Sequence, residues 1–480
     1  MKRKRKSTSC ATQIGNKADH IQEMGPFITD LPKSIIHLVL LKIPTRSILV
    51  CKCVCKNWHG LISDPEFAQL HFAQAEVFPM VRPLGPARVS RTLYFVEPED
   101  SSGSFLKDSG AYDRYRKRSD FHMTLSKCKI PLRNAEQVIS DHSNANVMID
   151  RKHVTTRKPC IKVRRNDHKY NVVNSCNGLL CLSEPFSNDP AVVCNPITGE
   201  FINLPEGSKP ENEKISIDCG FGFSPRTNEY KVIRMFKQGT PRPNRVAEIH
   251  TLGAGSWKSV GSAPYLASKL AFPTYVKGVL YWFYDEWSSF TIISFDLDTE
   301  KLQSVPSPPF GREECRNVVL GVLGDCICVC HTDGLKIKFW TLNDSGAQKL
   351  WRKNISIDTQ DAGRWPYGSF KPMKYLQNGC LLMFNSHTNA FFYYHPRNHR
   401  PFIFLKLRGF KSDFEVFSHV PSFISLKDIL VGKDVEVLNI NSRCAGLKLL
   451  GETKALFLEE DIAELGSDFY STDSCEDCED

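Results

Sequence analysis

The chain has 480 residues, 41% of them hydrophobic, and carries 62 Lys and Arg against 53 Asp and Glu, a formal net charge of +9. This length exceeds one ordinary domain, and the apolar fraction is that of a globular protein, which excludes a wholly disordered or fibrous chain. No apolar run reaches the length of a membrane-spanning helix, since Lys42, Pro44 and Arg46 interrupt the best candidate.

Residues 1–24 read as a disordered basic tail. Its run Lys2-Arg3-Lys4-Arg5-Lys6 is either a nuclear localisation signal or a solvated end. The polar stretch Ser7–His20 that follows has no apolar core of a signal peptide. The expected location is nuclear, cytoplasmic or both, and the eighteen cysteines are read as reduced thiols.

Residues 25–75 are expected to form a small all-α module of three helices. Asp30 is a candidate N-cap, Pro32 suits a first turn, and Pro44 stops the first helix. A second helix is predicted over Thr45–Cys51 and a third from about Cys53 to Ile62, with Val54, Trp58, Leu61 and Ile62 at helical spacing. In the first helix Ile35, Ile36, Leu38, Val39, Leu40, Leu41 and Ile43 cover more than the single stripe a helix needs for one core. A module this small buries too little surface to stand alone. Either it packs on the rest of the chain or its surplus apolar surface meets a partner.

The order of these residues is specific. Leu31-Pro32 and an apolar helix lead to Ile43-Pro44, Ser47-Ile48-Leu49, Val54-Cys55-Lys56-Asn57-Trp58 and Leu61-Ile62-Ser63-Asp64-Pro65-Glu66-Phe67. This segment resembles the F-box, the helical module that joins a substrate receptor to an SCF-type ubiquitin ligase. The resemblance implies an SKP-type adaptor and a cullin as partners. It sets Leu31, Pro32, Ile35, Val39, Ile43, Pro44, Leu49, Val54 and Trp58 at or under the adaptor interface. Ile43 stands where the family usually has Leu, and His59 where it usually has Arg.

Residues 76–169 read as a connector and an irregular segment that contributes strands. Phe78–Pro86, with three prolines, looks like the connector itself. From Tyr170 a repeat appears: Asn177-Gly178, Lys277-Gly278 and Asn378-Gly379 each precede an apolar strand, at intervals of about 100 residues. Ile197–Pro205 aligns without gaps with Asp298–Pro306, Thr198 opposite Thr299, and both read as hairpins. Between them lies an alternate unit, in which Thr251-Leu252 leads to Trp257 and Thr341-Leu342 leads to Trp351. The underlying period of roughly 45–50 residues is that of propeller blades. Five units are drawn at 172–206, 217–261, 274–308, 318–358 and 374–408, with Phe414–Val437 a candidate sixth. The predicted fold is mainly β, the small helical module being followed by a propeller of six to eight blades over 170–450. A β-sandwich is the alternative for strands this short. Asn174–Cys181, Cys194–Thr198, Phe221–Pro225 with Tyr230-Lys231-Val232, and Ile293–Leu297 resemble the F-box-associated domain of plant F-box proteins, which points to the propeller. Residues 451–480 read as an acidic disordered tail, with ten carboxylates and no Lys or Arg from Glu459 onward.

No catalytic motif is expected. Gly220-Phe221-Gly222 is followed by Pro225 where a dinucleotide fingerprint needs a third glycine, so close strand packing is the better reading. Cys326, Cys328 and Cys330 alternate on a strand as small core residues, and Cys475 with Cys478 lacks the second pair that zinc needs. His395 and His399 are spaced by a turn rather than a helix. No metal and no cofactor are therefore expected. The basic stretches Lys127–Arg133 and Lys158–Arg165 have few interleaved aromatics, so no nucleic acid is expected as a partner, and with no apolar run of spanning length no membrane is expected either. The family resemblance implies a non-catalytic subunit that holds a target protein on its propeller. Trp287, Trp365 and Tyr367, in irregular segments, are the candidate target anchors. A propeller enzyme or ligand binder with a helical cap, and a scaffold acting outside any ligase, are the competing classes.

Overall fold

Pro32 opens the first helix. Its fixed φ suits a helix entry and its carbonyl accepts from the backbone N–H groups of Ile35 at 2.9 Å and Ile36 at 3.2 Å. Helix α1 is Lys33–Leu40, α2 Thr45–Cys51, α3 Lys56–Ile62 and α4 Pro65–Gln74. The module thus has four helices, one more than the three expected, and α3 starts three residues later than predicted. The missed start signal is Asp64-Pro65. The Asp64 carboxylate accepts from Glu66 N–H at 2.9 Å and Pro65 takes the first helical position, so what read as an ending begins another helix.

The computed structural model describes residues 31–84, 92–98, 123–133, 169–208, 217–239, 244–264, 270, 272–286, 289–309, 317–332, 336–344, 349–359, 368–375, 379–395, 402–405, 407, 413–432 and 434–440. The tails 1–24 and 451–480, the basic stretch Lys158–Arg165, His399, and Cys475 with Cys478 lie outside them.

Six antiparallel sheets follow, arranged as the blades of a propeller. Blade 1 takes β1 (Phe78–Pro83), β2 (Thr92–Pro98) and β3 (Met123–Lys129). Blade 2 holds β4 (Asn171–Cys176), β5 (Leu179–Ser183), β6 (Pro190–Asn195) and β7 (Glu200–Asn203). Blade 3 holds β8 (Asp218–Ser224), β9 (Glu229–Gln238), β10 (Asn244–Thr251) and β11 (Lys258–Ser262). Blade 4 holds β12 (Thr274–Val276), β13 (Val279–Glu286), β14 (Ser289–Asp296) and β15 (Lys301–Val305). Blade 5 holds β16 (Val318–Leu323), β17 (Cys326–Thr332), β18 (Lys336–Asp344) and β19 (Lys349–Asp358). Blade 6 holds β20 (Phe370–Tyr375), β21 (Leu381–Asn385), β22 (Ala390–Tyr394) and β23 (Phe402–Leu405).

The next strand, β24 (Phe414–His419), returns to blade 1 and pairs with β1 from Phe78 opposite His419 to Pro83 opposite Phe414. Phe414–Val437 is therefore not a blade of its own; its first strand closes the ring. The remainder crosses to blade 2, where β25 (Leu438–Asn439) pairs with β7. The proline-rich segment read as a connector is strand β1. It pairs with β2 only at Met80 and Val81, between its two prolines, so neither missing N–H falls inside that register.

The hundred-residue repeat has a structural basis. Asn177 and Gly178 both take positive φ, as do Lys277 and Gly278, which makes the two-residue hairpin turns that the right-handed strand twist favours. A side chain at Gly178 would also collide with Ser422, 2.2 Å from where its Cβ would lie, so the C-terminal return needs glycine there. Four-residue turns close the β6–β7 and β14–β15 hairpins. In each the last residue of the first strand, Asn195 or Asp296, accepts from a backbone N–H two residues on at 2.9 Å. The Trp257 indole of blade 3 donates to the carbonyl of Pro205 behind blade 2, and that of Trp351 in blade 5 to Pro306 behind blade 4. Pro205 and Pro306 are aligned positions of the repeat. Blades 2 to 5 therefore repeat as two pairs, each latched by one indole.

Candidate functional site

Helix α1 has two apolar faces, and they have different fates. Ile36, His37 and Leu40 point inward, while Ile35, Leu38 and Val39 lie on the opposite side of the cylinder and stand exposed. With Leu31 before the helix, and Val50 and Val54 beyond it, these large apolar side chains are 42% to 67% exposed. The other face is sealed. Ile36, Leu40, Ile48, Ile62 and Phe67 share one buried cluster with Met80, Leu93 and Phe95 of blade 1 and Leu180, Leu182 and Val192 of blade 2. Phe67 lies 6.1 Å from the Phe423 ring and His71 meets that ring edge-on at 4.8 Å. Glu97 of β2 is buried and hydrogen-bonds both the backbone and the side chain of Thr45 at the start of α2; burial raises its carboxyl above the ordinary range. The module packs on the propeller and also keeps an apolar face for something else.

Of the residues assigned to the adaptor interface, Leu31, Pro32, Ile35, Val39, Pro44 and Val54 are exposed. Ile43, Leu49 and Trp58 are half-buried against the shared cluster, under the face rather than on it. Sequence reasoning left out Leu38 and Val50. Leu38 follows Ile35 by three residues, and a projection onto the helix would have grouped the two. Val50 carries no such signal, because its neighbours Ile48 and Leu49 are equally apolar.

The edge of this face is polar. The Lys33 ammonium bridges Asp64 at 2.5 Å and Glu66 at 3.2 Å, tying the start of α1 to the start of α4. Lys33, with the Glu66 N–H, holds the Asp64 carboxyl below its usual range.

The candidate target anchors Trp287, Trp365 and Tyr367 lie outside the described residues. Arg133, at the end of the basic stretch Lys127–Arg133, is buried and paired with Glu184 of blade 2. Cys328 and Cys330 are buried in the core between blades 5 and 6, and burial pushes both thiols upward. A Cβ on Gly220 would lie 2.8 Å from the Trp282 indole, which is the close strand packing expected of that segment. Among the described residues no group of three His, Cys, Asp or Glu side chains is placed to hold a metal ion, and no helix is long and apolar enough to cross a membrane.

Residues 123–423 match the profile of the F-box associated beta propeller domain, and residues 28–70 that of the F-box domain. The chain belongs to this F-box family. An Arabidopsis thaliana F-box protein is 25% identical over 414 residues, covering 79% of this chain and 85% of the relative. An F-box/kelch-repeat protein of the same plant is 24% identical over 335 residues, 68% of this chain and 79% of its own length. A further Arabidopsis F-box protein is 28% identical over 253 residues, 48% of this chain and 56% of the relative. The exposed face of α1 thus lies within the F-box match, and the strands from β3 to β24 lie within the match to the associated domain.

Proposed function

We propose that this chain is the substrate-recognition subunit of an SCF-type ubiquitin ligase: its F-box binds an SKP-type adaptor, which links it to a cullin, and its propeller holds a target protein. The observation that carries the reading is the two-sidedness of the helical module. Six large apolar side chains exposed on one short helical module, Leu31, Ile35, Leu38, Val39, Val50 and Val54, are what a partner interface calls for. Because the opposite face is fixed to blades 1 and 2, a target held on the propeller keeps a set direction relative to the adaptor. Such a receptor acts by raising the effective concentration of target lysines near the conjugating enzyme. It needs no nucleophile of its own, so we assign it a non-catalytic role. Its place of action is proposed as nucleus or cytoplasm, on the basic run Lys2–Lys6.

Co-purification of the full chain with an SKP-type adaptor tests the proposal. Replacing Leu31 and Pro32 together by Ala, or Leu38 by Asp, is expected to abolish adaptor recovery with the propeller still folded by circular dichroism. Undiminished recovery would remove the interface. Reconstitution with cullin, RING subunit and conjugating enzyme then separates a ligase receptor from a plain scaffold: a scaffold binds the adaptor and transfers no ubiquitin.

A further inference from the structure

Helices α1 to α3 carry charge of one sign. Between Leu31 and Ser63 stand Lys33, Lys42, Arg46, Lys52 and Lys56, with no Asp or Glu. Lys33 is neutralised by Asp64 and Glu66, Arg46 lies in the field of the buried Glu97, and Lys52 lies in that of Glu200. Lys42 and Lys56 are exposed and form no ion pair among the described residues. The open apolar face of the module, with Ile35, Leu38 and Val39 on α1, therefore has a basic rim. Such a surface favours an occupant that is apolar and acidic at once.

This chain carries such a segment, and the fold delivers it to the module. Asn439 pairs opposite Glu200 on β7, and the Ile440 N–H donates to the Gly199 carbonyl at 2.9 Å. That hairpin of blade 2 lies against α2, because Ile197 and Phe201 share an apolar cluster with Leu49 and Cys51. The chain thus leaves the propeller beside the helices. Ala455 is fifteen residues further on, a reach of about 50 Å when extended, against about 12 Å for the length of α1. Ala455, Leu458, Ile462 and Leu465 recur at helical spacing, and Glu459, Glu460, Asp461 and Glu464 stand between them. From Glu459 to Asp480 there are ten carboxylates and no Lys or Arg.

We propose that in the free chain residues 455–480 cover the open apolar face of the helical module, so that an adaptor binds only by displacing them. Leu458, Ile462 and Leu465 lie over Ile35, Leu38 and Val39, and the carboxylates pair with Lys42 and Lys56. This rests on the F-box being the adaptor site and gives that site a built-in competitor. Tethering supplies the segment at an effective concentration on the order of mM, so a contact too weak to hold a separate peptide still covers the face.

Zero-length carbodiimide cross-linking of the full chain, without adaptor and at low salt, tests the contact directly. In the monomer fraction, links are expected from carboxylates of residues 459–480 to Lys42 or Lys56. The cover is overturned if those links are missing, if the tail links only to Lys2–Lys6 or to propeller lysines, or if the links occur only between two copies. The consequence is read on a full-length variant with Glu459→Gln, Glu460→Gln, Asp461→Asn and Glu464→Gln together with Leu458→Ser, Ile462→Ser and Leu465→Ser. Its apparent Kd for an SKP-type adaptor is expected to be about tenfold tighter than wild type, the factor set by a cover in place nine-tenths of the time. The gap is expected to narrow in 0.5 M salt, which screens the rim. Equal or weaker binding by the variant overturns the proposal and leaves the receptor reading intact. If the links form but neither chain binds any adaptor, the cover stands and the receptor reading fails.

Discussion

His71 lies between the rings of Phe67 and Phe423, with its Nδ1 lacking a hydrogen-bond partner, and burial pushes its pKa down to about 4. The unfolded imidazole titrates near 6.5, so between about pH 6.5 and 4 the unfolded chain binds the extra proton. The stability His71 lends is therefore complete above pH 6.5 and is lost as pH falls toward 4. At pH 5 the loss is on the order of 2 kcal/mol, and His419, depressed in the same direction, adds to it. Melting temperatures at pH 7 and pH 5 check this. The drop for His71→Phe is expected to be clearly smaller than for wild type, and an equal drop would remove His71 as a cause. At the same scale, Ile35 and Phe67 are both large apolar residues of one module with opposite roles. Ile35→Asp is expected to leave the melting temperature within a degree or two and to lose the adaptor. Phe67→Ala, which empties a fully buried site, is expected to cost about 3–5 kcal/mol.

The module and the propeller share one core, which makes the helices dependent on the strands. A fragment ending at Leu84 would strip Ile36, Leu40, Ile62 and Phe67 of their partners on β2, β5 and β6. Such a fragment is expected to show little helical circular dichroism and to recover no adaptor until the propeller is restored. A folded, adaptor-binding fragment would mean that the shared cluster is dispensable. The indole latches act between elements as well. Trp351→Phe removes one hydrogen bond to Pro306 and keeps most of the apolar contact, so a loss of about 1 kcal/mol in urea unfolding is expected.

For the whole molecule, closure is the decisive feature. Blade 1 takes three strands from residues 78–129 and its innermost strand from residues 414–419, so the ring holds together only when both ends of the propeller meet. Apolar clusters then lie between successive blades all the way round, including one joining blade 6 to blade 1 through Phe391, Leu382, Val81 and Val416. A chain ending at Leu407 would leave β1 and β7 with open edges, which invite aggregation. It is expected to elute as aggregate in size-exclusion chromatography and to lose the sharp urea transition of the full chain; a monomer with an unchanged transition would mean that β24 is not the closure.

Much of this was legible in the chain itself. Leu31–Trp58 identified the helical module, because the order of its prolines, apolar residues and tryptophan is set by local helix geometry. The five internal blade segments fell close to the observed sheets, because Asn-Gly turns and Asn or Asp hairpin caps are local chemistry. Their strands read as continuous apolar runs because both faces are covered: on β13, Leu280 and Trp282 face blade 3 while Tyr281 and Phe283 face blade 5. Three things only the tertiary structure decided. Phe78–Pro83 became a strand because β24 offered it a partner more than three hundred residues away. Which apolar face of α1 stays open depended on where blades 1 and 2 sit, since helical spacing gives two faces and names neither as the buried one. The ion pairs Glu415 with Arg82, Glu76 with Lys374 and Asp325 with Lys277 belong to contacts between separate strands rather than to any local pattern.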